Sequence, residues 1–96
     1  MTTFEDAREI ARAALADDWT LGTLYVSTEG YEDASMYLVN AGAREAVIGM
    51  DLNYLDTIGL STFVGKIDGR VYRLQTIDNL DRIDAMTVCG TPDPAE

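Results

Sequence analysis

Histidine is absent from the 96 residues, cysteine occurs once and proline twice, and seven Lys+Arg stand against seventeen Asp+Glu. Without histidine there is no Ser–His or Cys–His nucleophile pair, no imidazole zinc site and no side chain that ordinarily titrates near neutrality. The lone Cys89 can close no internal disulfide, so the expected setting is reducing and cytoplasmic. A net charge of −10 excludes a sequence-independent nucleic-acid binder, whose surface must be basic enough to displace counterions from phosphate. Apolar runs extend only a few residues, too short for a membrane-spanning helix or a secretory apolar region. What remains is globular: 47% apolar and 25% charged residues, in a length that supports a single core.

The first element is a helix. Thr2 and Thr3 both suit the N-cap, and Thr2 with Glu5 has capping-box spacing. Phe4, Ala7, Ile10, Ala11, Ala14 and Leu15 recur at helical period, with Glu5, Asp6, Arg8, Glu9 and Arg12 on the other face. The alanines make this stripe thin, so a flat sheet is its natural partner. Asp17 and Asp18 end the helix, and Trp19 follows as a lid on the core edge or a binding anchor. Leu21 to Tyr31 alternates as a strand, Glu29 to Asp33 reads as a turn, and Ala34 to Asn40 as a second strand with large residues on both faces. Ala43 to Ile48 suits helix or strand equally. Leu52, Tyr54, Leu55 and Ile58 are placed to pin the following loop to the core. Leu60 to Lys66 and Arg70 to Gln75 form a hairpin around Ile67-Asp68-Gly69, because Asp-Gly supplies the positive backbone angles such a turn commonly needs. Ile77 to Met86 is a short helix with Asp78 as N-cap and Ile77, Leu80 and Ile83 on one side. Gly90 to Glu96, with both prolines, reads as a frayed tail. There is no internal repeat or linker.

Three segments imitate functional motifs without meeting their requirements. Five residues, not four, separate Gly59 from Gly65, and Ile67 follows Lys66 where a phosphate loop needs Ser or Thr. Asp51-Leu52-Asn53 opens like a calcium loop but lacks its central glycine and closing glutamate. Cys89 has no general base near it in sequence and is a spectator. No catalytic, metal or cofactor residues are therefore assigned.

Charge is unevenly distributed. Residues 1–33 carry −6 and residues 77–96 carry −4, whereas 57–76 carry +2. Asp78, Asp81 and Asp84 recur every three residues along one edge of the last helix. Such a face either keeps a small domain soluble or steers a basic protein partner. Two acids could also serve a hydrolase, but 96 residues leave little room for a pocket. Tyr25, Tyr31, Tyr37, Tyr54 and Tyr72 fall mostly on strands and loops, where tyrosine beside acids is a frequent composition of recognition surfaces.

The order of these segments resembles the small YrhB-like domain of bacteria. Asp6-Ala7-Arg8-Glu9-Ile10-Ala11 runs into Trp19 and a hairpin, followed by Asn40-Ala41-Gly42-Ala43-Arg44-Glu45 and the step Gly49-Met50-Asp51. Phe63-Val64-Gly65-Lys66-Ile67-Asp68-Gly69-Arg70-Val71 and the ending Asn79-Leu80-Asp81-Arg82-Ile83-Asp84-Ala85-Met86-Thr87 extend the likeness over residues 5 to 88. The resemblance implies a small cytoplasmic protein that binds and neutralises a sibling's toxin. Gly65 departs from the family pattern, where an acid often precedes the basic residue of the turn, and no partner contact is carried over.

The expected fold is α+β: an N-terminal helix packed on an antiparallel sheet of about four strands, with a short C-terminal helix. Residues 1–89 form the domain and 90–96 a flexible tail. The second sheet face is expected to be covered by residues 41–59, by a second subunit or by a partner. The expected function is that of a non-enzymatic acidic protein-binding domain, an immunity-like inhibitor whose partner is a basic toxin domain. The alternative is a homo-oligomerisation module, a homodimer pairing through the open sheet face. Candidate partner-binding residues are Trp19, Tyr25, Tyr37, Asp78, Asp81 and Asp84.

Overall fold

Thr3 starts the first helix. In the computed structural model, which describes residues 1–51, 53 and 59–93, helix α1 runs Phe4–Ala16. The Thr3 hydroxyl accepts the Asp6 N–H at 3.1 Å and the Asp6 carboxylate accepts the Thr3 N–H at 3.2 Å. This capping box lies one residue later than the Thr2–Glu5 spacing, because the Thr2 N–H is already donated to the Lys66 carbonyl at 2.8 Å. Ala7 and Ala11 are completely buried, and their small side chains let the helix lie close on the sheet.

Five strands, not four, make that sheet: β1 (Leu24–Glu32), β2 (Met36–Ala43), β3 (Leu60–Gly65), β4 (Val71–Gln75) and β5 (Thr87–Gly90). Their order is β4-β3-β2-β1-β5, and every neighbouring pair is antiparallel. Tyr37, Val39 and Val64 face α1 together with Val26, while Leu38 and Phe63 alternate to the opposite face. Val26, Val39 and Val64 are almost wholly buried, and each such burial contributes about 1.5–3 kcal/mol relative to exposure.

The first turn lies later than the expected Glu29 to Asp33, since β1 continues through Glu32. Gly30 sits inside β1, where a Cβ would stand 2.5 Å from the Leu38 carbonyl oxygen and 2.8 Å from the Phe4 ring. The glycine serves close approach and not chain reversal. Reversal falls to Asp33, whose Oδ1 accepts the N–H groups of Ser35 at 2.9 Å and Met36 at 2.8 Å. The second turn falls as expected: Gly69 adopts φ +66°, and the Asp68 carboxylate accepts the Arg70 N–H at 3.0 Å. Residues 43–48 divide between the two readings, since β2 runs through Ala43 and helix α2 occupies Arg44–Val47. The expectation that Leu52, Tyr54, Leu55 and Ile58 pin the loop lies outside the described residues.

After β4 the chain makes a 3-10 turn at Ile77–Asn79, then helix α3 at Leu80–Asp84, and crosses the sheet to the opposite edge as β5. On the way Ile83 and Met86 pack against Leu38 and Phe63. This crossing lies over the centre of the second face. The tail is also tied down beyond residue 89: β5 extends to Gly90, the Thr91 N–H reaches the Thr28 carbonyl at 2.9 Å, and Asp93 is bonded to β1. No helix among the described residues is long and apolar enough to cross a membrane.

Candidate functional site

The crossing from β4 to β5 exposes its polar and apolar ridges together. Ile77, Leu80 and Ile83 recur at three-residue spacing, and burial rises along them as the chain moves from the sheet edge to its centre. Ile77 is 76% exposed and Leu80 49%, whereas Ile83 is half-buried and Met86 is in the core. The apolar side expected for this helix is thus covered only at its far end. Alongside it run Asp78, Asp81 and Asp84, all exposed, their carboxylates without a hydrogen bond or ion pair among the described residues. Asp78 is not the cap that its position suggests. The helix begins as a tight 3-10 turn, closed by the Asn79 N–H to the Thr76 carbonyl at 3.0 Å, and Asp78 points to solvent.

One cation lies on this element, and it faces inward. The Arg82 Nε–H donates to Asp33 Oδ2 at 2.8 Å, its Nη2–H to the Ser35 hydroxyl at 2.9 Å, and its guanidinium lies 5.8 Å from the Phe63 ring centre. Burial pushes the Asp33 carboxyl up, but Arg82 and the amides of Ser35 and Met36 outweigh it, holding the group at about 2. Arg82 therefore anchors α3 to the β1–β2 turn and leaves the outward acids uncompensated. The other pairs follow the same economy: Arg8 with Glu5 at 2.9 Å, Arg12 with Glu9, and Lys66 with Glu32 at 2.8 Å. Much of the limited positive charge is neutralised within the fold, and the excess negative charge is expressed outward. Helices α1 and α3 pack on opposite sheet faces.

The six residues singled out in the sequence do not come together. Asp78, Asp81 and Asp84 share the α3 ridge. Tyr37 is buried beneath α1, its ring 5.7 Å from that of Phe4 and 4.8 Å from the Lys66 ammonium, so it belongs to the core and not to a contact surface. Tyr25 is half-buried on β1, where its hydroxyl donates to Asp93 at 2.7 Å and the Arg44 guanidinium lies over its ring. Trp19 is half-buried beyond the end of α1, its indole N–H donating to the Leu21 carbonyl at 2.8 Å.

Asp93 carries no signal in the sequence, yet it organises the C-terminal end. Besides Tyr25 it accepts the Ser27 hydroxyl at 2.6 Å and the Thr28 N–H at 3.0 Å, from a stretch of β1 where the register shifts between Val26 and Gly30. Arg8 holds the same stretch by donating to the carbonyls of Ser27 at 2.8 Å and Val26 at 3.1 Å. Burial raises the Asp93 pKa, but the bonds from Ser27, Tyr25 and Thr28 prevail and leave it below the usual carboxylate value.

Compared with protein-family models, with curated proteins and with solved structures, the chain matches none of them.

Proposed function

We propose that this chain is a non-enzymatic protein-binding domain that docks a basic, amphipathic surface of another protein on the α3 ridge. The observation that carries this reading is the exposure of Ile77 and Leu80 beside three unpaired carboxylates, Asp78, Asp81 and Asp84. Apolar side chains supply contact area, and a rim of one charge sign selects the partner and speeds encounter. The resemblance to YrhB-like domains supports the same partner class, a basic toxin domain neutralised by an immunity-like inhibitor.

The test is capture of the product of a neighbouring gene by the full chain at low and raised ionic strength. The reading expects retention that weakens with salt, because exposed charges are screened beyond about 8 Å at 0.15 M. The variant D78N/D81N/D84N slows association about tenfold and flattens the salt dependence, with little change in stability. The variant I77S/L80S speeds dissociation. Retention unchanged in both variants, or no protein retained at low salt, refutes the reading.

A further inference from the structure

Among the described residues, helix α1 ends before it has covered the whole sheet face on which it packs, and two hollows lie beyond its end. One hollow of about 260 Å³ lies between Leu15, Asp18, Trp19, Leu21 and Arg73. A second, of about 140 Å³, shares Leu15, Trp19 and Arg73 with it and continues over Val39, Leu60 and Thr62 of the sheet. Together they reach the lower part of the range for small-ligand sites, about 300–1,000 Å³. Their walls mix apolar side chains, among them Leu15, Trp19, Leu21, Val39 and Leu60, with the polar groups of Asp18, Thr62 and Arg73.

Two charged groups of opposite sign face this space without satisfying each other. Arg73 is exposed and makes no hydrogen bond or ion pair among the described residues, and the same holds for Asp18. Arg73 is placed by the sheet, cross-strand from the buried Thr62, while Asp18 is placed by the chain leaving α1. Trp19 has its N–H occupied by the Leu21 carbonyl, so the indole offers the hollow its apolar ring and not a donor.

We propose that this hollow binds an α-amino acid with an apolar side chain, its carboxylate on Arg73, its ammonium on Asp18 and its side chain between Leu15 and Trp19. The guanidinium fork matches a carboxylate in geometry as well as charge. A ligand bearing a carboxylate alone would meet the field of a chain with net charge −10, whereas a zwitterion carries no net charge into it. A ligand bearing an amine alone would leave Arg73 unanswered. The limited volume selects one residue and excludes a folded peptide. This site lies on the sheet face opposite the α3 ridge, so it stands or falls independently of the protein-binding reading.

The experiment uses the full chain and the emission of its single tryptophan, which lines both hollows. L-Leucine is titrated beside 4-methylpentanoate, which lacks the amine, 3-methylbutylamine, which lacks the carboxylate, and glycine, which lacks the side chain. Calorimetry checks for binding that leaves emission unchanged. The expected result is saturable binding of leucine, with each of the other three at least about tenfold weaker. R73Q and D18N each weaken leucine binding by a similar factor while Tm stays within about 3 °C, as befits exposed positions. Absence of saturable binding up to about 10 mM overturns the proposal. So does leucine binding that is indifferent to R73Q or D18N, or equal affinity for 4-methylpentanoate.

Discussion

Asp93→Ala separates a tethered C-terminus from the frayed one that the prolines and glycine suggest. The Asp93 carboxylate accepts hydrogen bonds from Ser27 at 2.6 Å, Tyr25 at 2.7 Å and the Thr28 amide at 3.0 Å. Hydrogen bonds to a charged group contribute about 1.5–3 kcal/mol each, but three that share one carboxylate do not add independently. Ser27 is only 3% exposed; without Asp93 its hydroxyl still accepts the Glu29 N–H at 3.1 Å but its own buried proton loses its acceptor, at about 1–3 kcal/mol. Tyr25 is half-buried and recovers part of its loss by hydration. The expected net loss is about 2–3 kcal/mol, which lowers Tm by about 8–24 °C in a domain of this size. Thermal and urea denaturation followed by circular dichroism measure it. Hydrogen exchange should accelerate at Thr91, whose amide bonds to the Thr28 carbonyl. S27A/D93A should be less destabilised than the sum of the single variants by about 1 kcal/mol, because the pair shares one bond. A D93A protein within about 0.5 kcal/mol of the parent, with unchanged exchange at Thr91, refutes the tether.

Two further predictions follow from the titrating groups. Asp33 is held at about 2 against an ordinary 3.8, so the unfolded chain binds more protons than the native one as pH falls. Its contribution is complete above about pH 4 and is lost as pH drops toward 2. Urea midpoints at pH 2.5, 4 and 6 should show D33N less stable at pH 6 and flatter between 4 and 2.5, with Asp93, Asp68 and Glu45, whose carboxyls are also lowered by hydrogen bonds, contributing to the remaining slope; equal slopes in D33N and the parent refute the assignment. Burial, followed by the negative charge of Glu32, pushes the Cys89 thiol up to about 11. Its thiolate is scarce at pH 7.5, and alkylation by iodoacetamide should run about 10²–10³-fold slower in the native protein than in urea. Equal rates in the two states count against that burial.

Helix α1 and the β3–β4 hairpin were legible in the residues because their causes are local. A 3.6-residue apolar period with a threonine cap specifies the first, and Asp68-Gly69 between two alternating runs specifies the second. The three-residue spacing of Asp78, Asp81 and Asp84 likewise identified an acidic edge that is exposed in the fold. Strand β5 offered no such signal: it is four residues long and mostly exposed, and it exists only by pairing with β1 some sixty positions earlier. The burial of Tyr37 is not legible in the residues for a related reason. A strand with large side chains on both faces says that both are covered, not which neighbour covers each, and here Phe4 and Lys66 close over the ring.

By itself, then, the order of residues determined the elements whose hydrogen bonds and apolar contacts lie within a turn or a hairpin, and it determined the acid surplus. Tertiary structure alone decided that Gly30 lies in a strand, that Asp93 is a fastening, and that Ile77 and Leu80 stay outside while Met86 is buried. It also brought Arg73 and Asp18 to one hollow. Each of those outcomes depends on atoms distant in the chain coming within a few ångströms, and no local energy term encodes which distant atoms they will be.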